Sequence, residues 1–260
     1  MQMPFYSLIH ADPQKIRGQI VSVIGGGGKS SLLQKIGKEL AEKNLRVILT
    51  STTKFQPFPQ IGIVLIRQGD SYASELDILL TELKIAQVAK DYYEKDRFVG
   101  INILDVQELS RFADVVLIEA DGSRQRSLKT HKEHEPVIPP FSTSVIVISG
   151  CDVVGESLND RQVHRSELFS EKWQLPIGTK LTPEIISKEL LSPHSYLRNV
   201  PLRAAVSYFI SKADENPIGA KLLSEHLFRK SAYPVFVGSI HQNRLRKITI
   251  DSLTPETLFQ

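Results

Sequence analysis

Cysteine occurs once in 260 residues, at Cys151, which excludes a disulfide framework and any zinc site built from several thiolates. Tryptophan also occurs once, and methionine twice. No apolar run is long enough to span a bilayer, and the N-terminus lacks the basic-then-apolar pattern of a secretory signal. A charge excess is missing too: 32 Lys and Arg stand against 29 Asp and Glu, a net of +3 despite a pI near 8.8. That balance leaves no electrostatic footprint for nucleic acid or a membrane surface. Internal repeats and low-complexity tracts are absent. With 41% hydrophobic and 23% charged residues the composition is globular. The expectation is a cytoplasmic protein that partners neither nucleic acid nor membrane.

What is present is a rhythm of short apolar runs and amphipathic segments, the pattern of βαβ units around a mostly parallel sheet. Strands are predicted at Gln19–Ile24, Arg46–Thr50, Ile61–Ile66, Asp114–Glu119, Ser144–Ile148, Ala205–Ile210 and Val235–Val237. The stretch Leu245–Ile250 alternates apolar and charged residues, as an edge strand or hairpin arm does. Leu32, Leu33, Ile36 and Leu40 recur at helical spacing, and a second helix runs through Lys221–Leu223. Residues 154–200 read as helical with no clear strand, an insertion within one domain of 1–260.

Between the first strand and the first helix stands Gly25-Gly26-Gly27-Gly28-Lys29-Ser30-Ser31. Glycines there let backbone N–H groups turn toward phosphate oxygens, and the helix start adds a partial positive charge. Lys29 is expected on the terminal phosphates and the Ser30 hydroxyl on Mg²⁺. The first glycine of the long G-x-x-x-x-G-K-[ST] pattern is replaced by Val23. The shorter G-x-x-G-K-S form fits from Gly25 and resembles the compact phosphate loops of Mur-type ligases. The fold class expected is therefore a three-layer α/β fold of the P-loop NTPase type, its mostly parallel sheet carrying the helical insertion.

A phosphate-transferring site also needs a carboxylate on a neighbouring strand end. Val115-Val116-Leu117-Ile118-Glu119-Ala120-Asp121 supplies two, on one side of an extended chain, as candidate metal or water-positioning residues. Thr53 in Ser51-Thr52-Thr53-Lys54 follows the second strand and is a further candidate for Mg²⁺, with Lys54 for an anion. Arg124 and Lys129 are placed to stabilise charge on a transferring phosphoryl group. His131, His134 and Glu135 have a spacing that also suits a transition metal, a solvated loop or an anionic substrate. Ser211-Lys212-Ala213-Asp214 resembles the N-K-x-D motif of GTP-binding proteins, with serine at its first position. An Asp there accepts from guanine N1–H and the 2-amino group, donors that adenine lacks, while the Lys212 stem packs along the base.

Taken together, Gly25–Ser31, Thr52–Lys54, Glu119–Arg124, Leu128-Lys129, His134–Pro139, Gly150–Gly155 and Val163–Arg165 resemble the YqeC family. That resemblance implies a P-loop NTPase-like fold and an accessory role in maturing a selenium-dependent molybdenum hydroxylase, with the hydroxylase or its cofactor-maturation proteins as partners. The expected activity is Mg²⁺-dependent hydrolysis of GTP or ATP, with GTP preferred. Alternatives are an ATP-dependent small-molecule kinase or ligase, and a nucleotide-binding adaptor without turnover. Cys151 reads as buried filler at a strand end.

Overall fold

A computed structural model describes residues 2–66, 71–94 and 96–253. Its strands, in chain order, are β1 (Gln19–Gly25), β2 (Val47–Ser51), β3 (Ile63–Leu65), β4 (Ile85–Ala89), β5 (Asp91–Glu94), β6 (Arg97–Val99) and β7 (Val115–Glu119). There follow β8 (Leu128–Lys129), β9 (Ser144–Gly150), β10 (Val163–His164), β11 (Ala205–Ser211), β12 (Val235–Ser239) and β13 (Arg244–Lys247). The helices are α1 (Lys29–Glu42), α2 (Ser71–Glu82), α3 (Ile103–Leu109), α4 (Ser166–Trp173), α5 (Pro183–Leu190) and α6 (Pro217–Lys230).

Nine strands build one sheet in the order β13-β12-β11-β9-β1-β7-β2-β4-β3. All neighbours pair in parallel except β12 with β13, so the alternating tail is the antiparallel edge its pattern implies, ending at Lys247. Alternate residues of the central strands enter two separate cores. Ile24, Ile48, Val116, Ile118 and Val147 face one, with Leu80, Val106, Phe169, Ile186 and Leu223 from the helices. Val23, Leu49, Leu117 and Ile148 face the other, with Leu32, Leu33, Ile36 and Leu40 of α1. That is the expected three-layer, mostly parallel α/β fold. Among the described residues no helix is long and apolar enough to cross a membrane.

Two departures have simple causes. β4 lies between β2 and β3 yet escapes the apolar pattern, because Gln87 sits in its middle. Its buried amide donates to the Phe58 and Ile61 carbonyls and accepts from the Phe58 N–H, so a polar residue is tolerated inside the sheet. Residues 154–200 do carry α4 and α5, but also β10, which pairs with β8 through Val163↔Leu128 and His164↔Lys129. A two-residue strand has no periodicity to read.

Candidate functional site

The carboxyl ends of β1, β7, β2, β9 and β11 converge, and α1 starts where β1 stops. Gly25 and Gly27 have φ of +109° and +89°, and a Cβ on them would lie 2.2 Å from the Ile148 carbonyl oxygen and 2.4 Å from the Gly150 nitrogen. Only glycine fits either position. The Gly25 N–H donates to Asp121, Gly26 N–H to the Ile148 carbonyl and Gly27 N–H to the Arg126 carbonyl. These groups hold the loop itself. Gly28 caps α1 without any side-chain hydrogen bond, leaving the first N–H groups of the helix to face a cavity of about 780 Å³. Gly27, Gly28, Lys29, Ser30 and Ser31 line that cavity.

Lys29 is 3% exposed and folds back over the loop. Its Nζ donates to the Gly25 carbonyl at 2.6 Å and to Ser123 Oγ at 3.2 Å, and lies 3.1 Å from Asp121 and 3.7 Å from Glu119. Burial alone would lower its pKa, but the two carboxylates outweigh burial and leave it raised.

Both acids thus face the glycine loop, but in different settings. Glu119 accepts the Ser30 hydroxyl at 2.7 Å and lines the cavity. Burial raises its pKa, and Lys29 and Ser30 only partly offset this. Asp121 is fully enclosed: besides Gly25 and Lys29 it meets His131 Nε2 at 2.6 Å and Lys129 Nζ at 3.4 Å. Burial would raise its pKa, yet these cations and the imidazole hold it far below the usual carboxylate range.

Arg124 is exposed at the same cavity, beside Lys54, Arg97 and Lys212. Lys54 Nζ stands 3.2 Å above the Tyr93 ring. The Thr53 hydroxyl lies 3.2 Å from Ser51 Oγ, which donates to the Glu119 carbonyl. Thr53 does not border the cavity. Lys129 does not reach the position expected of it: its Nζ is buried on the Gly122 carbonyl, Asp121 and Glu135, and the side chain does not line the cavity. Burial lowers its pKa despite those acids. Lys212 pairs with Asp152 at 2.8 Å, and two residues on Asp214 borders a neighbouring cavity of about 550 Å³ with Gly238, Ser239 and Gln242. The Ser211 hydroxyl donates to the Gly27 carbonyl at 2.6 Å, tying β11 to the loop.

His131, His134 and Glu135 are not brought together as metal ligands. His131 is buried between Asp121 and Ser195, Glu135 pairs with Arg165 and Lys129, and His134 is exposed. Among the described residues no group of three or more His, Cys, Asp or Glu side chains is arranged to hold a metal. Cys151 is buried against the Lys212 and Asn216 carbonyls, and burial with the Asp152 charge pushes its thiol up to about 12, which disfavours the thiolate.

Sequence reasoning missed the bracing residues. Glu189 and Ser195 lie in none of the segments that resemble the family, and they matter through partners elsewhere in the chain, Trp173 and His131, whereas Ser123 and Asp152 do lie in such segments but carry no motif that announces their roles. The Glu135–Arg165 pair does have a signal, since both residues lie in segments shared with the family.

Comparison with known proteins agrees with the resemblance. The YqeC protein family model matches residues 21–167, from β1 into α4. The "Uncharacterized protein YqeC" of Escherichia coli (strain K12) is 28% identical over 235 residues, covering 87% of this chain and 90% of that one. Among solved structures, the cell division protein FtsY of Thermotoga maritima aligns with a TM-score of 0.45 at 14% identity, over 90% of this chain and 66% of that one. The hydrogenase maturation factor HypB of Archaeoglobus fulgidus aligns with a TM-score of 0.39 at 10% identity, over 92% of each chain. The family match spans more than half the chain and takes in the glycine loop, both acids and the Glu135–Arg165 pair: the chain belongs to the YqeC family.

Proposed function

We propose that this chain is a Mg²⁺-dependent nucleoside triphosphatase with a preference for GTP, acting as an accessory factor in the maturation of a selenium-dependent molybdenum hydroxylase. The observation that carries the nucleotide reading is the Lys29–Ser30–Glu119 constellation at the open N-terminus of α1. Free N–H groups from Gly28 to Ser31 suit phosphate oxygens, and Lys29 is poised to exchange its backbone carbonyl for a phosphate. The Ser30 hydroxyl and Glu119 carboxylate, both hard oxygen donors at the cavity, fit Mg²⁺. That ion, when bound, would neutralise charge building up on the phosphates. Glu119 serves as the metal-side acid and Asp121 as the anchor that orients Lys29 and the Gly25 N–H. Arg124 reaches the cavity from the loop after β7 and stabilises charge on the transferred group. Asp214, beside Gly238 and Ser239, is the candidate for reading the base.

The accessory role and its hydroxylase client rest on the family resemblance. Equilibrium binding of GTP and ATP, each with Mg²⁺, to the wild type and to Lys29→Ala tests the nucleotide part. A charge-assisted contact of this kind is worth about 10- to 100-fold in affinity, so a loss of that order in the variant is expected. Binding of neither nucleotide to the wild type overturns the reading, and a preference for ATP overturns the role given to Asp214.

A further inference from the structure

A second cavity of about 740 Å³ lies on the other side of the Asp121–His131 pair, and it shares no lining residue with the phosphate cavity. Its floor is braced by buried polar chemistry that nucleotide binding does not use. Thr130 N–H donates to the His164 carbonyl, and the Arg165 guanidinium holds both the Thr130 carbonyl and Glu135. His131 Nδ1 meets Ser195 Oγ at 3.2 Å, and Ser195 donates to the fully buried Glu189 at 2.5 Å. Lys172, also in the wall, pairs with Glu189 at 2.8 Å.

Two features of this wall call for a ligand. The Thr130 hydroxyl is buried and has no hydrogen-bond partner, a state that is unfavourable unless something entering the cavity supplies one. Lys132 and Arg198 border the same space, and among the described residues neither makes an ion pair; Arg198 donates only to the Lys132 carbonyl. His134 and His194 stand beside them as further nitrogen donors. Three acids also line the cavity: Asp160 already accepts the Ser166 hydroxyl, while Glu133 and Glu167 are exposed and neutralise neither cation. Burial, then Arg165, Lys129 and Arg124, bring His164, whose carbonyl accepts the Thr130 N–H, down to about 4.

We propose that this second cavity binds a small oxyanion, held by the Thr130 hydroxyl, Lys132 and Arg198, as a site separate from the phosphate loop. The rigid floor makes the site preorganised, so binding orders few side chains beyond Lys132 and Arg198.

The test uses inorganic phosphate as the probe, read through the imidazole NMR signals of His134 and His194, each assigned from its own His→Gln variant. Phosphate in the millimolar range is expected to shift both signals in the wild type and equally in Lys29→Ala. The Lys132→Ala/Arg198→Ala double variant is expected to bind at least about 10-fold more weakly, in line with loss of charged hydrogen bonds. Thr130→Val separates binding from folding: it removes an unpartnered hydroxyl, so it should unfold at the same or higher denaturant concentration while losing phosphate affinity. Unmoved signals in the wild type, undiminished shifts in the double variant, or shifts that vanish in Lys29→Ala each overturn the proposal. None of these outcomes depends on whether the protein binds GTP or ATP.

Discussion

A single carboxylate, Asp121, holds the glycine loop, the loop lysine and a histidine at once. Its value comes from being shielded: fully buried, it gathers Lys29, Lys129, His131 and the Gly25 N–H around one charge. Asp121→Asn keeps the shape and removes that charge, leaving two buried ammonium groups under-compensated. Breaking a buried ion pair from one side costs about 3–5 kcal/mol, so the variant should lose stability on that scale in denaturant unfolding. Glu135 offers a pH-linked test. Burial would raise its carboxyl, but Arg165 and Lys129 outweigh burial and bring it to about 2 from an ordinary 4.5. A lowered carboxyl stabilises the fold fully above its unfolded value, so this contribution should be lost as pH falls from about 4.5 toward 2. Glu135→Gln should be less stable than the wild type at neutral pH, and the gap should narrow through that window in acid-unfolding curves.

Among the elements, the β11 end is the most consequential. Ser211 donates to the Gly27 carbonyl, and Asp214, three residues on, borders the neighbouring cavity. One strand end thus ties the glycine loop to the side chain proposed to read the base. Ser211→Ala should destabilise by about 1 kcal/mol, the net worth of a buried hydrogen bond, and weaken both nucleotides alike. Asp214→Ala should instead narrow the GTP-to-ATP affinity ratio toward unity while leaving ATP binding near its original level; competition titrations distinguish the two outcomes. How legible these elements are depends on how local their cause is. β1, the glycine loop and α1 follow from adjacent residues, and so do β7, β9, β11 and the edge strand β13. β4 is hidden by Gln87, whose polarity makes sense only against the backbone of residues 58–61. The burial of Lys129 is equally non-local: a cation in a basic stretch reads as available to a phosphoryl group until Asp121 and Glu135 are known to enclose it.

At the scale of the whole molecule, residues 154–200 are joined to the carboxyl ends of the central strands by polar contacts as well as apolar ones. From the phosphate loop the path runs Gly25, Asp121, His131, Ser195, Glu189, and there it meets the indole N–H of Trp173 at 2.7 Å. Lys172 and Lys188 flank the same ring at 4.7 and 4.4 Å. Trp173 is the only tryptophan in the sequence. Nature has therefore built a single optical reporter into the far end of this path. Indole emission responds to nearby charge, and here no second tryptophan dilutes the signal, so a shift in colour or lifetime reports on the surroundings of Trp173, with Glu189, Lys172 and Lys188 among them. Titrating the unlabelled protein with nucleotide or with phosphate while recording indole emission therefore tests whether filling either cavity changes the surroundings of Trp173.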